Sequence, residues 1–424
     1  MGALVLVVSA VPRPVAARVQ VVGSTIEAAA AARTAAPWVK ALPLAGGGFV
    51  VLWPSQQGPQ ASPFDQAGQP LAAPFPLPST GVPAATTVGD TLVVATGDNV
   101  LWIGLDGVVQ HMQSNHAPPF TRSSTLAAAA SGTIELLWDF IDPIGVYAAA
   151  FAADGAVQSY VVTDSSVGNS WPAYPAAAGL ADDQFLNGWV AENSGAIWAR
   201  RTSAAGVVGD SFNVASGLDA PTGPALCADA SSASGTVAWH TDAPIQFRRI
   251  DASGALLTDV LCSELQGEAS VACPQSGVTL LVGDLPASDE SPQFAVVVRA
   301  FDAHGAPRGH VAIALRDTLP AATSAAALVG GDTAVAWSDC DPSGVDGCRI
   351  RAQVVRVDDV GSCQGDCNDD GRVTVDELVT GVDLALTEHP SFLRCPALKQ
   401  DLRSCAVGIS DVVGAVAHAL RGCS

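Results

Sequence analysis

The sequence predicts a mainly β chain. Seven repeated four-strand units close into a propeller, and a small α-helical domain follows at the C-terminal end. Three observations lead there. A four-beat strand pattern recurs across the first ~360 residues. The composition is rich in turn formers and poor in charge, with Gly 41, Pro 28 and 14% charged residues. Near the end, the period of the apolar residues changes from that of strands to that of helices.

Each unit opens with a short Pro/Ala strand. An apolar second strand follows and often ends in Trp: "GGFVVLW" at Trp53, "TLVVA" at Ala95, "TIELLW" at Trp138, "FLNGW" at Trp189, "GTVAW" at Trp239, "VTLLV" at Val282 and "DTAVAW" at Trp337. A third strand runs into a glycine turn, at Gly68, Gly107, Gly155, Gly206, Gly254, Gly305 and Gly361. That gives seven units of roughly 47 residues, within the range of propeller blades. One such sheet cannot bury both faces alone, and stacking the units around an axis covers them. The Trp residues are expected as apolar wedges between blades, with a row of exposed ligand-binding aromatics as the rival reading. Six or eight blades, or a pair of sandwiches, remain open.

The seventh unit stops at "RIRAQVVRVDDVG" without a fourth strand. The early segment "ARVQVVGST" resembles the fourth beats "GHVAIALRDT" and "DSFNVASG". An N-terminal strand is therefore expected to close the last blade. The boundaries read as 1–17, the remnant of a secretion signal without its basic start; 18–361, the propeller; and 362–424, the small domain. The repeats resemble the degenerate "GGFVVVW…DAxG" propeller repeats of secreted bacterial proteins. That resemblance implies a fold and a secreted or cell-surface setting, and no reaction.

The chemistry lies at the far end. "DCNDDGRVTVDE" runs from Asp366 to Glu377 and has the ligand spacing of a twelve-residue calcium loop. Asp366, Asn368 and Asp370 occupy positions 1, 3 and 5. Arg372 offers its carbonyl at position 7, Thr374 acts through water at position 9, and Glu377 closes the loop with two oxygens. Gly371 makes the sharp turn. An acidic turn without calcium affinity is the plainer alternative. Val375, Leu378, Val379, Val382 and Leu386 then mark one apolar face of a helix. The same spacing returns 34 residues later in Ile409, Val412, Val413, Val416 and Leu420. In the second copy Gln400, Leu402 and Ser404 stand opposite the first three ligands. Gly408 replaces Thr374 and Asp411 replaces Glu377, so this copy is expected to support the pair without binding calcium.

Two loop-helix units with no helix before the first, written "GSCQGDCNDDGRVTVDELVTGVDLAL" and later "CPAL" and "RGC", resemble a type I dockerin. The resemblance implies calcium-dependent (EF-hand) folding and docking to a cohesin module. It departs from the family where Val375, Asp376, Ile409 and Ser410 stand in place of the Ser/Thr recognition pairs.

The ten cysteines begin at Cys227, and Cys340 and Cys348 flank a turn at hairpin distance. An even, clustered count points to disulfides and an oxidising compartment, with free buried thiols as the alternative. Bridges among Cys363, Cys367, Cys395, Cys405 and Cys423 would fasten the small domain. A net charge of -21 disfavours nucleic acid and anionic membranes. No late apolar run suggests a membrane helix.

No GxSxG, HExxH, GxxxxGK[ST] or GxGxxG spacing occurs. His111, His116, His240, His304, His310, His389 and His418 are scattered. The resulting reading is a secreted, calcium-binding, non-catalytic binding or display protein. The propeller would take a glycan or protein, and the small domain would act as tether to a cohesin-like or cell-surface partner. A polysaccharide-degrading enzyme is the alternative. Acidic residues grouped in the central channel would favour it, whereas a channel of Ala, Ser and Gly would favour the binding module.

Overall fold

The computed structural model describes the chain apart from residues 1–17, 33–37, 80, 115–122, 142–143, 153–156, 163–171, 182, 220, 230–233, 242–243, 252, 276, 289–290, 317–321, 341–346, 359–363, 368–371, 387–394, 396–397, 399–401, 404–406 and 422–424. The described residues form seven four-stranded antiparallel sheets and two C-terminal helices. The chain is thus a seven-bladed propeller. Blades 1 to 6 are each built from consecutive strands, within residues 40–76, 84–114, 124–161, 172–215, 225–262 and 266–316.

Blade 7 is composite. Its three inner strands are Thr323–Ala327, Thr333–Cys340 and Cys348–Asp358, and its fourth is the N-terminal strand Arg18–Ala32. The register sets Val19 opposite Val357 and Val22 opposite Val354, then shifts beyond Val22. Residues from the two ends of the propeller therefore share one hydrogen-bonded sheet, and the ring has no open edge strand at its join.

The first strand of each blade lies innermost. Lys40–Pro43, Ala84–Val88, Ser124–Ala128, Pro172–Gly179, Ala225–Ala228, Gln266–Ala272 and Thr323–Ala327 touch one another in a closed circle. Their residues are mostly Ala, Ser and Thr, small enough for seven strands to converge on the axis.

Apolar clusters fill each of the seven seams between adjacent blades. The blade tryptophans anchor them. Trp53 packs against blade 7, Trp138 against blade 2, Trp189 against blade 3, Trp239 against blade 4 and Trp337 against blade 6. All five are buried, so the exposed-aromatic reading fails for them. A large flat ring covers the facing sheet at a seam that no single four-stranded sheet could close itself.

The glycine turns join third strands to fourth strands. At the blade 6 turn the Asp302 carboxylate accepts hydrogen bonds from the amides of His304 and Ala306, at 2.8 and 2.9 Å. Gly305 has φ +79°, and a Cβ there would lie 2.1 Å from Leu261 Cδ1. Gly155 and Gly361 lie outside the described residues.

Three disulfides occur among the described residues, and they suit an oxidising or extracellular environment. Cys340–Cys348 closes the blade 7 hairpin, Cys227–Cys273 crosses the seam of blades 5 and 6, and Cys367–Cys395 lies in the C-terminal domain. Among the described residues no helix is long and apolar enough to cross a membrane.

Helices α1 (Val375–Leu386) and α2 (Ile409–Arg421) pack on each other over a small core of Leu384, Cys395, Leu398, Val407 and Ala415. Their apolar stripes do not face that core. Val375, Val379, Val382 and Leu386 on α1 are exposed, as are Ile409, Val413, Val416 and Leu420 on α2. Of the residues assigned to the stripes by spacing, only Leu378 and Val412 turn partly inward. Packing uses the neighbouring face instead, because small residues there let the elements approach closely. A Cβ at Gly381 would meet Leu398 at 2.9 Å, and one at Gly365 would meet Ala415 at 2.5 Å.

Candidate functional site

The loop before α1 brings its two ends together. Asp366 is fully buried and Glu377 is 7% exposed. Glu377 accepts at both carboxylate oxygens: Oε1 from the Cys367 amide at 2.8 Å, and Oε2 from the Thr374 amide at 2.7 Å and its hydroxyl at 2.9 Å. Thr374 and Glu377 form a reciprocal capping box, which satisfies helix N-terminal amides and favours an acid there. Arg372 and Thr374 are exposed. Asn368 and Asp370 lie outside the described residues, and among the described residues no group of three or more metal-ligating His, Cys, Asp or Glu side chains occurs. The described part of the loop offers two carboxylates, a buried Asp366 and a closing Glu377 whose oxygens both accept hydrogen bonds from the loop; carboxylate oxygen is the ligand type that calcium takes.

The second copy repeats the cap and discards the rest. Asp411 Oδ2 accepts from the Gly408 amide at 2.9 Å, the counterpart of the Thr374–Glu377 bond. Leu402, opposite Asn368, is 2% exposed and belongs to the apolar cluster at the seam of blades 5 and 6. Its carbonyl accepts from the Cys262 amide at 2.8 Å, and Arg403 pairs with Asp259 at 3.3 Å. This loop is a contact with the propeller, a role that its leucine signals only by lacking an oxygen.

The mouth of the axial channel is a second candidate, and motif reading missed it. It forms a cavity of about 780 Å³ where the inner strands begin. Lys40 and Glu268 line it, and they are the only charged residues in the seven inner strands. Lys40 Nζ donates to the Pro83 carbonyl at 3.0 Å. Burial lowers its pKa to about 8, against the attraction of Glu268. Glu268 faces the channel, yet the surrounding protein raises its pKa, with Lys40 opposing the shift. Tyr174 and Glu192 also line the cavity. One sequence signal was available: Lys40 and Lys399 are the only lysines in the chain.

No family model and no curated protein matches the chain. Among solved structures, the Pan2 WD40 domain of Neurospora crassa is similar at a TM-score of 0.50 and 9% identity, over 80% of this chain and 94% of that one. The Dos1 propeller aligns at a TM-score of 0.47 and 8% identity, over 79% and 94%. At such identities the Pan2 likeness shows the propeller fold and nothing finer.

Proposed function

We propose that this chain is a secreted, non-catalytic recognition protein. The propeller is its binding body, and the dockerin-like, calcium-organised helix pair docks a partner protein of the cohesin type. One observation carries the reading. The exposed apolar residues of α1 (375, 379, 382, 386) and of α2 (409, 413, 416, 420) match one for one at a 34-residue offset. A twofold-repeated apolar stripe left open on so small a domain is what a protein partner would cover. The buried Asp366 and the doubly bonded Glu377 support calcium as the ion that orders the loop. The inner strands are mostly small side chains and carry one acid, Glu268, which favours binding over the polysaccharide-degrading alternative; Glu192 is the one other acid among the described residues at the channel mouth, where that alternative calls for grouped acids.

The test is complex formation between the full chain and a panel of cohesin-type modules, read by size-exclusion chromatography with calcium present. The wild type is expected to bind, and Val379→Asp with Val413→Asp is expected to lose binding while melting normally. Equal binding by the double variant would remove the stripe from the proposal. Concentration-dependent dimers in place of complexes would make a second copy of the chain the partner.

A further inference from the structure

We propose that the channel mouth binds the end of a neutral oligosaccharide, with Tyr174 as the stacking surface and Lys40 and Glu268 as hydrogen-bonding partners for its hydroxyls. This inference rests on the reading of the propeller as a recognition body and names its ligand class.

Tyr174 is held in a conformation that L-residues avoid. Its φ is +52°, and it sits where the register of Pro172–Gly179 slips between Ala173 and Ala176. A bulge at this point re-aims the side chain. Glycine opposite makes room for it, since a Cβ on Gly223 would lie 2.8 Å from Tyr174 Cβ. The residue is 50% exposed, and among the described residues neither its ring nor its hydroxyl has a hydrogen-bonding or ring partner. The fold therefore keeps a strained aromatic residue that makes no such structural contact, on the wall of a cavity. Strain of this kind collects at binding sites.

The polar groups around it select the ligand. The inner strands are uncharged except at Lys40 and Glu268, and both residues line this one cavity. Together they offer donors and acceptors with little net charge. Ser124, Thr125 and Thr222 line the same cavity. A polyol matches such a mixture, because each hydroxyl both donates and accepts. The C–H face of a sugar ring is weakly positive and suits the negative face of an aromatic ring. Acidic polymers would meet Glu192 and Glu268 and a chain of net charge -21. The volume of about 780 Å³ falls within the roughly 300–1,000 Å³ of small-ligand sites.

The experiment is calorimetry of the full chain against soluble neutral tri- and tetrasaccharides of glucan, mannan, xylan and galactan type, with acidic oligosaccharides and short peptides alongside. At least one neutral sugar is expected to bind, with affinity falling about tenfold or more in Tyr174→Gly and in Glu268→Gln. Tyr174→Gly is also expected to melt at a higher temperature than the wild type, because glycine accepts positive φ without strain. A lower melting temperature would overturn the argument from strain. Absence of neutral-sugar binding, binding to acidic sugars or peptides alone, or unchanged affinity in both variants would each overturn the proposal. Val379→Asp with Val413→Asp should leave sugar binding intact, so failure at the channel mouth and failure at the helix stripe are separable.

Discussion

The carbonyl of Leu402 accepts a hydrogen bond from the amide of Cys262 at 2.8 Å, and the Leu402 side chain enters the apolar seam of blades 5 and 6. Leu402 occupies the place that Asn368 holds in the first loop. One of two duplicated loops keeps its oxygens, while the other uses the same position to fasten the helix pair to the propeller. The stripes of α1 and α2 are then presented from a defined place on blade 5, which a free linker could not do.

Leu402→Ala should lower the stability of the anchored state by about 2–4 kcal/mol, the usual cost of truncating a buried leucine. The readouts are a thermal melt and limited proteolysis of the C-terminal domain. If cleavage rates and melting match the wild type, Leu402 does not hold the domain in solution.

Asp366→Ala combined with Glu377→Ala should abolish calcium binding. Calorimetry is expected to show about one ion per wild-type chain, since only the first loop carries the full ligand spacing. Chelator should reduce the helical circular dichroism of the wild type, because an ion bound only by the folded loop stabilises it. Two tight sites of similar affinity would show that the second loop also binds.

Glu135 makes the seam of blades 3 and 4 sensitive to pH. Its carboxyl is completely buried; Thr202 Oγ1 donates to Oε1 at 2.6 Å, and the Tyr160 hydroxyl donates to the same oxygen. Burial raises its pKa to about 7, although the hydrogen bonds from Thr202, Tyr160 and Asn187 oppose the shift. Oε2 accepts no hydrogen bond, so nothing stabilises charge on that buried oxygen, and the neutral acid is favoured. The folded value lies above the unfolded one, so this contribution is complete below the unfolded pKa near ~4.3 and is lost as pH rises through about 7. Glu135→Gln keeps a donor and removes the titration. Relative to the wild type, it should gain stability between pH 5 and 8 by up to about 3 kcal/mol. Parallel melting curves for the two proteins across that range would exclude Glu135 as the titrating group.

Deleting residues through Ser24 should destabilise the propeller, whereas deleting only through Ala17 should not. Val19 is buried in the seam of blades 6 and 7 and pairs with Val357. Its removal opens both a core and a sheet edge. Thermal melts with calcium present decide the matter, and equal melting temperatures would mean that the ring holds without its last strand.

Blade number and the wedge role of the tryptophans were legible in the sequence because they are local and repeated. Each "VVLW"-like strand must bury its apolar residues, and seven such strands at an even spacing leave few architectures. Helix positions were legible for the same reason, since a period of 3.6 is a property of neighbouring residues. Which helix face packs was not. Val379 and Leu386 look like core by spacing, yet the small residues Gly381 and Ala415 permit the closer approach, and the larger side chains are left outside. The meeting of Lys40, Tyr174 and Glu268 was equally hidden. They lie in blades 1, 4 and 6, and only closure of the ring around an axis brings such distant residues to one mouth. Local pattern determined the elements and their count. The tertiary structure decided which surfaces remain exposed, because exposure depends on what the rest of the chain covers.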